Sequence, residues 1–462
     1  MSDSPHLTEA AIALNRFGLG ARDDESPPAN PKTWLLSQFD RYDPKPPAWA
    51  RLPDAPSLVQ SLAAARQQAA SGAGEDAKLA ARKMVRTEVV DAYRDAVDAR
   101  VESALTTGSP FVERLVHFWS NHFAISTEKP QVAALAGAFE VEAIRPHVLG
   151  RFEDMLLAVE RHPAMQVFLD QANSVGPDSA AAMRADARDP RRKRGLNENL
   201  AREIMELHTL GVRSGYTQDD VTEFARALTG WSLVGPKGVG GAPGTFVFRP
   251  ALHEPGQRTI MGQRYDEPGE AQALAILNDL AVAPATAHHV ATKLARHFAG
   301  DDPSPALVAR LAQAFRSSGG DLPAVYRALV AAPEAWSSSP VKFKAPWDWT
   351  ISAMRGLGAH ALDGVKAAPL LTQLGQPVWR PGSPAGYDDV AASWAAPDAL
   401  VRRVELAQRI AARVGDRIDA RTLGPAITCG SLSPATALAV SRAESAQTAL
   451  ALLLVSPDFQ RR

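Results

Sequence analysis

The 462-residue chain is predicted to be all-α, a multi-helix globular array with long loops and at most one small β-hairpin. Three observations carry that expectation. Apolar residues recur at helical spacing, and the recurring stretches are punctuated by Pro and Gly. Aromatic residues make up only 6% of the chain, while Ala and Arg, both good helix formers, are frequent. Strand patterning is confined to 245–248 and 259–261, two short runs on either side of a turn-like segment, which are expected to pair as the hairpin.

In chain order, the first helix is expected over 8–17, with Thr8 as its cap and Gly18 and Gly20 stopping it. A second follows Asn30-Pro31, and the Pro-rich stretch 44–56 reads as a loop. The clearest helix spans 76–107, where Val85, Val89, Tyr93, Val97, Val101 and Leu105 recur every four residues. A strict four-residue step drifts around a helix of 3.6 residues per turn, so this helix must curve or be covered by more than one partner. Gly108-Ser109-Pro110 ends it and starts the next, 111–123. Further helices are expected at 132–144, 152–160, 164–170, 197–210, 218–228, 270–280, 286–298, 305–317, 322–330, 347–357, 399–414 and 435–454. Thr217 and Asp220 form a capping-box-like start to the 218–228 helix. Segments 173–194, 235–266 and 376–390 read as inserted loops, which in compact proteins are functional or disordered.

Charge and composition exclude several classes. The formal net charge is −1, so no whole-chain field steers this protein onto nucleic acid or an anionic membrane. The single cysteine, Cys429, excludes an intrachain disulfide framework and multi-Cys metal sites. The N-terminal MSDSPHLTEAAIALNRFGLG lacks the basic start and apolar core of a signal peptide, and no stretch reaches the ~18 apolar residues of a spanning helix. The expectation is a cytoplasmic protein with no membrane span. No dinucleotide, P-loop, nucleophile-elbow, zinc-protease or EF-hand pattern is present.

Four clusters carry chemistry. On the 197–210 helix, Asn199, Arg202, Glu203 and Glu206 share one face. That face reads as an acid/base pair with a charge clamp, as two metal ligands completed by another helix, or as a solvated surface. At about 100° per residue His208 lies about 160° from Glu206, so the two cannot chelate one ion from this helix. On the 111–123 helix, Glu113, His117 and Asn121 follow an i, i+4, i+8 line, whereas His122 sits on the apolar side beside Trp119. The third cluster is Arg226 to Trp231 at a helix end, with His253 and Glu254 in the loop beyond. The helix bearing His288, His289, Lys293, Arg296 and His297 reads as an anion site or as surface charge. The basic run 191–194 reads as a phosphate contact or a solvated loop.

Several stretches resemble a known family. Asn15-Arg16-Phe17-Gly18-Leu19-Gly20, Phe118-Trp119-Ser120-Asn121-His122-Phe123, the block from Asn197 to Gly211, Tyr216 to Val221, Ala225 to Trp231 and the tail Ser456 to Arg462 are similar to domain-of-unknown-function family 1800. The resemblance implies one family-length helical unit over 1–462. It implies no reaction and no cofactor. It also points to a neighbour, family 1501, whose members look like sulfatase or phosphatase relatives and tend to carry twin-arginine export signals. Export bound to such a partner is therefore the alternative to a cytoplasmic location.

Two function classes follow, with a third behind them. The first is an enzyme whose site forms between the helix of Glu203 and Glu206 and the helix of His122. Arg202, Arg226 and His253 stand at its mouth, Asn121, Asn199 and Trp231 serve binding, and a metal is an open possibility. The second is a binding or maturation partner of the family 1501 protein, docking through an exposed apolar patch at the Trp231 or Trp379 loops. The third is a haem protein using His122 or His208 as axial ligand.

Overall fold

The four-residue apolar step of the long helix decides how its neighbours are arranged. A computed structural model describes residues 6–71, 75–188, 195–340 and 342–462; the basic run 191–194 lies outside the described residues. The long helix is Glu75–Thr106. Its C-terminal half points Val97, Val101 and Leu105 into the main core, while Val85 and Val89 turn toward a separate cluster with Leu62, Ala133 and Ala134. The drift is absorbed by several partners, among them the helices Pro47–Ala50, Ala55–Ser71, Pro130–Phe139, Pro346–Gly356 and Ala367–Gln373. At the closest of these crossings Gly137 lies on the Pro130–Phe139 helix, where a Cβ would come within 2.5 Å of Ala96 Cβ. Gly137→Val is therefore expected to destabilise the protein by roughly 2–3 kcal/mol, measured as a lower urea midpoint.

The all-α expectation holds; among the described residues strands form two small antiparallel pairs, one more than the single hairpin expected. The expected pairing of 245–248 with 259–261 is corrected. Phe246–Phe248 pairs with Trp231–Leu233, and Arg258–Ile260 pairs with Gln263–Tyr265. The reason is local. Met261 and Gly262 both have positive φ, +50° and +81°, which is the two-residue turn that folds a strand back on its immediate successor. The strand at 258–260 is thus satisfied by its neighbour and leaves Phe246–Phe248 to Trp231–Leu233.

Other boundaries also move. The 44–56 stretch holds the short helix Pro47–Ala50 and leads directly into Ala55–Ser71, a helix the sequence reading missed. The expected loop 173–194 contains the helix Ala180–Arg188, and 235–266 contains the strands just described. The expected 435–454 helix is two, Pro434–Ser441 and Ala446–Val455, because the Ser445 hydroxyl accepts from Thr448 N–H at 3.0 Å and starts a new helix. Thr217 and Asp220 form a true capping box. A second apolar cluster gathers Trp349, Leu406, Leu423, Leu450 and Phe459 toward the C-terminus. Among the described residues no helix is long and apolar enough to cross a membrane.

Candidate functional site

The polar stripe of the Pro110–His122 helix faces a cavity of about 230 Å3. His117 and Asn121 line it, and Glu113 lies one turn behind, buried. The opposite wall is the Pro284–Ala299 helix, which contributes Lys293, Arg296 and His297. Trp347 and Asp348 close one side, and the 376–390 segment closes the other with Trp379, Tyr387 and Asp389.

That segment is irregular but tied down. The Asn121 amide donates to Tyr387 C=O at 2.9 Å and accepts from Tyr387 N–H at 2.7 Å. Gly386, at φ +85°, lets the backbone lie against Asn121 where a Cβ would collide. Trp379 Nε1 donates to Ser120 Oγ and to Glu140 Oε2, both at 3.2 Å. These contacts carry Asp389 to His297, where Asp389 Oδ2 accepts from Nδ1–H at 2.7 Å. Asp389 Oδ1 faces Lys342 Nζ at 3.0 Å, and Lys342 also binds Asp301 at 2.9 Å.

The electrostatics fix the protonation states. Burial acts to raise the Asp389 carboxyl, but His297, Lys342 and Arg462 outweigh it and hold it below the usual carboxylate range. A carboxylate can only accept, so the proton of the His297–Asp389 bond sits on Nδ1. Burial lowers His297 from its ordinary 6.5, with Asp389 opposing, so the ring is neutral at pH 7 and Nε2 carries a lone pair. That Nε2 is buried with no hydrogen-bond partner. Asp348 is likewise buried, yet Arg114 and Arg462 bring it down to about 2. Arg114 Nη1 reaches both its oxygens at 3.1 Å. His117 Nδ1 accepts from Trp347 Nε1–H at 3.1 Å, since an indole only donates. Burial lowers Lys293 to about 8. Lys293 and Arg296 have no ion-pair partner among the described residues.

Below the cavity lies a buried charge network. Arg145 makes two 2.8 Å bonds to Glu113. Arg100 Nε meets Glu140 Oε2 at 2.9 Å, and Ser103 and Ser120 hydroxyls donate to Glu113 and Glu140. A larger cleft of about 910 Å3 runs between the Ala55–Ser71 and Glu75–Thr106 helices, with a mostly apolar floor around Trp49, Leu52, Leu58 and Ala96. Its lining carries the carboxylates of Asp54, Glu88, Asp91, Asp95 and Glu142 and the amines of Lys45 and Lys83, but among the described residues no His or Arg.

Comparison with known proteins gives one match. The family model described as "Protein of unknown function (DUF1800)" matches residues 12–461. The chain belongs to the DUF1800 family. No curated protein and no solved structure matches it.

In this DUF1800 member the residues singled out from sequence fall in different places. Asn121 lines the cavity. His122 is buried in the core, its Nε2–H donating to His208 C=O at 3.0 Å. His289 Nε2–H donates to Leu207 C=O at 3.0 Å. Both histidines satisfy carbonyls that the end of the Ile204–His208 π-turn leaves free. Glu203 and Glu206 are half-buried; burial first, and Glu206 in addition, raises the Glu203 carboxyl. Arg202 turns to Glu198 at 3.1 Å and Gln218 at 2.9 Å, and Asn199 is exposed. Arg226 pairs with Glu223 at 2.6 Å, and His253 Nδ1–H donates to Thr229 C=O at 2.9 Å. None of Arg202, Glu203, Glu206, Arg226 or His253 lines the cavity.

Three further expectations change. Trp231 and Trp379 are 1% and 5% exposed, so neither offers the apolar patch expected of a docking loop. Neither His122 nor His208 has room for an axially bound haem: both are 1% exposed, Phe123, Trp119 and Phe152 pack their rings 4.5, 5.1 and 6.3 Å from the His122 ring, and His208 lies 5.3 Å from the Phe123 ring with Nδ1 on Glu160. Among the described residues no three His, Cys, Asp or Glu side chains converge as a set of ion ligands. What the sequence reading under-weighted is the cationic helix. Lys293, Arg296 and His297 stood out there as a possible anion site, and the 376–390 loop stood out separately; only the fold joins them.

The buried histidines also set the acid stability. His117, His122, His289 and His297 are all lowered by burial, His289 to about 4. The unfolded chain therefore binds more protons than the native state below about pH 6.5. Their contribution is complete above that pH and is lost as pH falls toward 4, by roughly 1.4 kcal/mol per unit of depression. Burial raises the Glu203 and Asp98 carboxyls, which act in the opposite sense, while the less deeply buried His147 and His253 are lowered and act with the four rings. The melting temperature is expected to fall steadily from pH 7 to pH 5; a flat profile would contradict the neutral assignment.

Proposed function

We propose that this protein is an enzyme that acts on a small anionic molecule in the His297 cavity, with His297 Nε2 as general base. The observation that carries the reading is the His297–Asp389 pair. The carboxylate fixes the tautomer, burial keeps the ring neutral, and the free lone pair lies in the cavity wall without a protein partner. A volume of about 230 Å3 suits a small molecule, not a polymer segment. The unpaired cations Lys293 and Arg296 favour an acidic substrate.

The Glu203–Glu206 face supports a separate acid/base role less well. Its raised carboxyl is a sign of function, and the buried His208–Glu160 pair at 2.7 Å lies within electrostatic reach, but neither Glu203 nor Glu206 lines the cavity. A partnership with a family 1501 protein would need a surface other than the Trp231 and Trp379 loops. The test is turnover of small carboxylates and phosphates by the wild type against His297→Asn. Turnover that survives the substitution undiminished would sink the proposal.

A further inference from the structure

The cavity holds a second reactive group that the base chemistry does not use. Among the described residues Lys293 is the only lysine that lines it. The buried Lys342 is neutralised by Asp301 and Asp389. Lys344 is buried too, but its Nζ donates to Ser352 Oγ at 3.1 Å, sits 4.0 Å over the Phe459 ring, and borders a void of only about 20 Å3. Lys293 alone combines a buried stem with open space and no carboxylate bond. It precedes His297 by four residues on the same helix, so the two side chains share a face.

We infer that Lys293 is the covalent nucleophile of this cavity, forming an imine with a small carbonyl compound that also carries an acidic group. The inference rests on the reading of the cavity as an active site. The groups facing Lys293 explain why its amine is available. Burial is the largest influence, Asp389 opposes it and Arg296 reinforces it, leaving the amine at about 8. Behind it stand His122 and His289, whose rings are neutral or cationic and so offer the amine no counter-charge. A weakly basic, unpaired amine keeps a useful fraction of its lone pair at neutral pH.

The chemistry balances without an outside reagent. The amine lone pair attacks the carbonyl carbon, and the C=O π pair moves to oxygen. His297 Nε2 accepts one proton from the attached nitrogen and returns it to the alkoxide, giving the carbinolamine; it then relays the second N–H proton to the carbinol oxygen, which leaves as water as the C=N bond forms. Nothing is oxidised or reduced. Arg296, whose Nε donates to Asp301 C=O at 3.3 Å but which has no ion-pair partner among the described residues, is the group suited to hold the substrate's carboxylate or phosphate.

The test is reductive trapping on the intact protein near pH 7.5, using glyoxylate with cyanoborohydride and mapping the modified lysines by mass spectrometry. Lys293 is expected to be labelled on the order of 100-fold faster than the exposed Lys237. The fast adduct should vanish in Lys293→Arg. The wild type should prefer glyoxylate over acetaldehyde, and Arg296→Ala should remove that preference. Labelling of Lys293 no faster than Lys237, or a fast adduct that survives Lys293→Arg, would overturn the inference. Equal labelling by the two aldehydes in the wild type would overturn its acidic-substrate part. Trapping needs no turnover. A failure to trap with His297-dependent turnover intact removes only the imine, whereas trapping with turnover indifferent to His297→Asn removes only the general base.

Discussion

His297→Asn lowers turnover by about 10²- to 10⁴-fold, the range expected for loss of a positioned general base. Asparagine can still meet Asp389 through its amide, so the loop stays docked, but it offers no basic nitrogen to the cavity. Asp389→Asn is expected to cost turnover by up to about 10⁴-fold for a different reason. Its amide can donate to the ring, which favours the tautomer with its lone pair on Nδ1 and turns Nε2 from acceptor to donor. Lys342 keeps Asp301 in that variant, so the fold has a remaining anchor. The pH profile gives an independent check. Because burial lowers His297, the acid limb of the rate should lie below the ordinary histidine value of 6.5. Imidazole nitrogen shifts measured by NMR at pH 7 should report a neutral ring protonated on Nδ1. A cationic ring at that pH would contradict the mechanism even if activity fell in the variants.

Arg145→Met destabilises the protein by about 3–5 kcal/mol. Arg145 and Glu113 are each 1% exposed and joined by two 2.8 Å bonds. Burial alone would lower Arg145, but Glu113 beside it outweighs burial and holds it raised, so the guanidinium is charged throughout. Removing it leaves Glu113 as a buried anion whose nearest remaining donors are Ser103 Oγ at 3.1 Å and His117 Nε2 at 3.7 Å. Trp49 and Tyr42 also lose the cation they flank. The double variant Glu113→Leu/Arg145→Met should recover much of the loss, because no charge is then stranded. Urea midpoints for the two single variants and the double variant measure the coupling. Additive single effects would show that the pair is not acting as a unit.

The helices were largely legible because helical order is local. The four-residue apolar step from Val85 to Leu105 was enough to place the Glu75–Thr106 helix to within a residue at each end and to predict several covering partners. Ala55–Ser71 was missed because its buried face is made of Leu62 and small residues such as Ala65, too weak a stripe beside a Pro-rich approach. The strand pairing was missed because it was decided by the Met261-Gly262 turn and not by apolar content.

The site was half-legible for the same reason. The Glu113–His117–Asn121 line lies on one helix, so its shared face could be read directly; the structure turns His117 and Asn121 to the cavity and buries Glu113 against Arg145. His122 was expected to face Glu203 across two helices, a pairing that local spacing cannot test; the structure places it in the core with its Nε2–H on His208 C=O. The cationic face of Lys293, Arg296 and His297 was visible, and so was the unusual 376–390 loop. Their joining was not.

By itself, the sequence determined which residues share a helix face, which ends are capped and which family the chain resembles, since each depends on neighbours a few positions apart. Only the tertiary structure decided that Asp389 meets His297 across 92 residues and that Asp348 meets Arg114 across 234. Such contacts depend on how whole helices pack, and the cavity's charges acquire their protonation states only once that packing has removed the water around them.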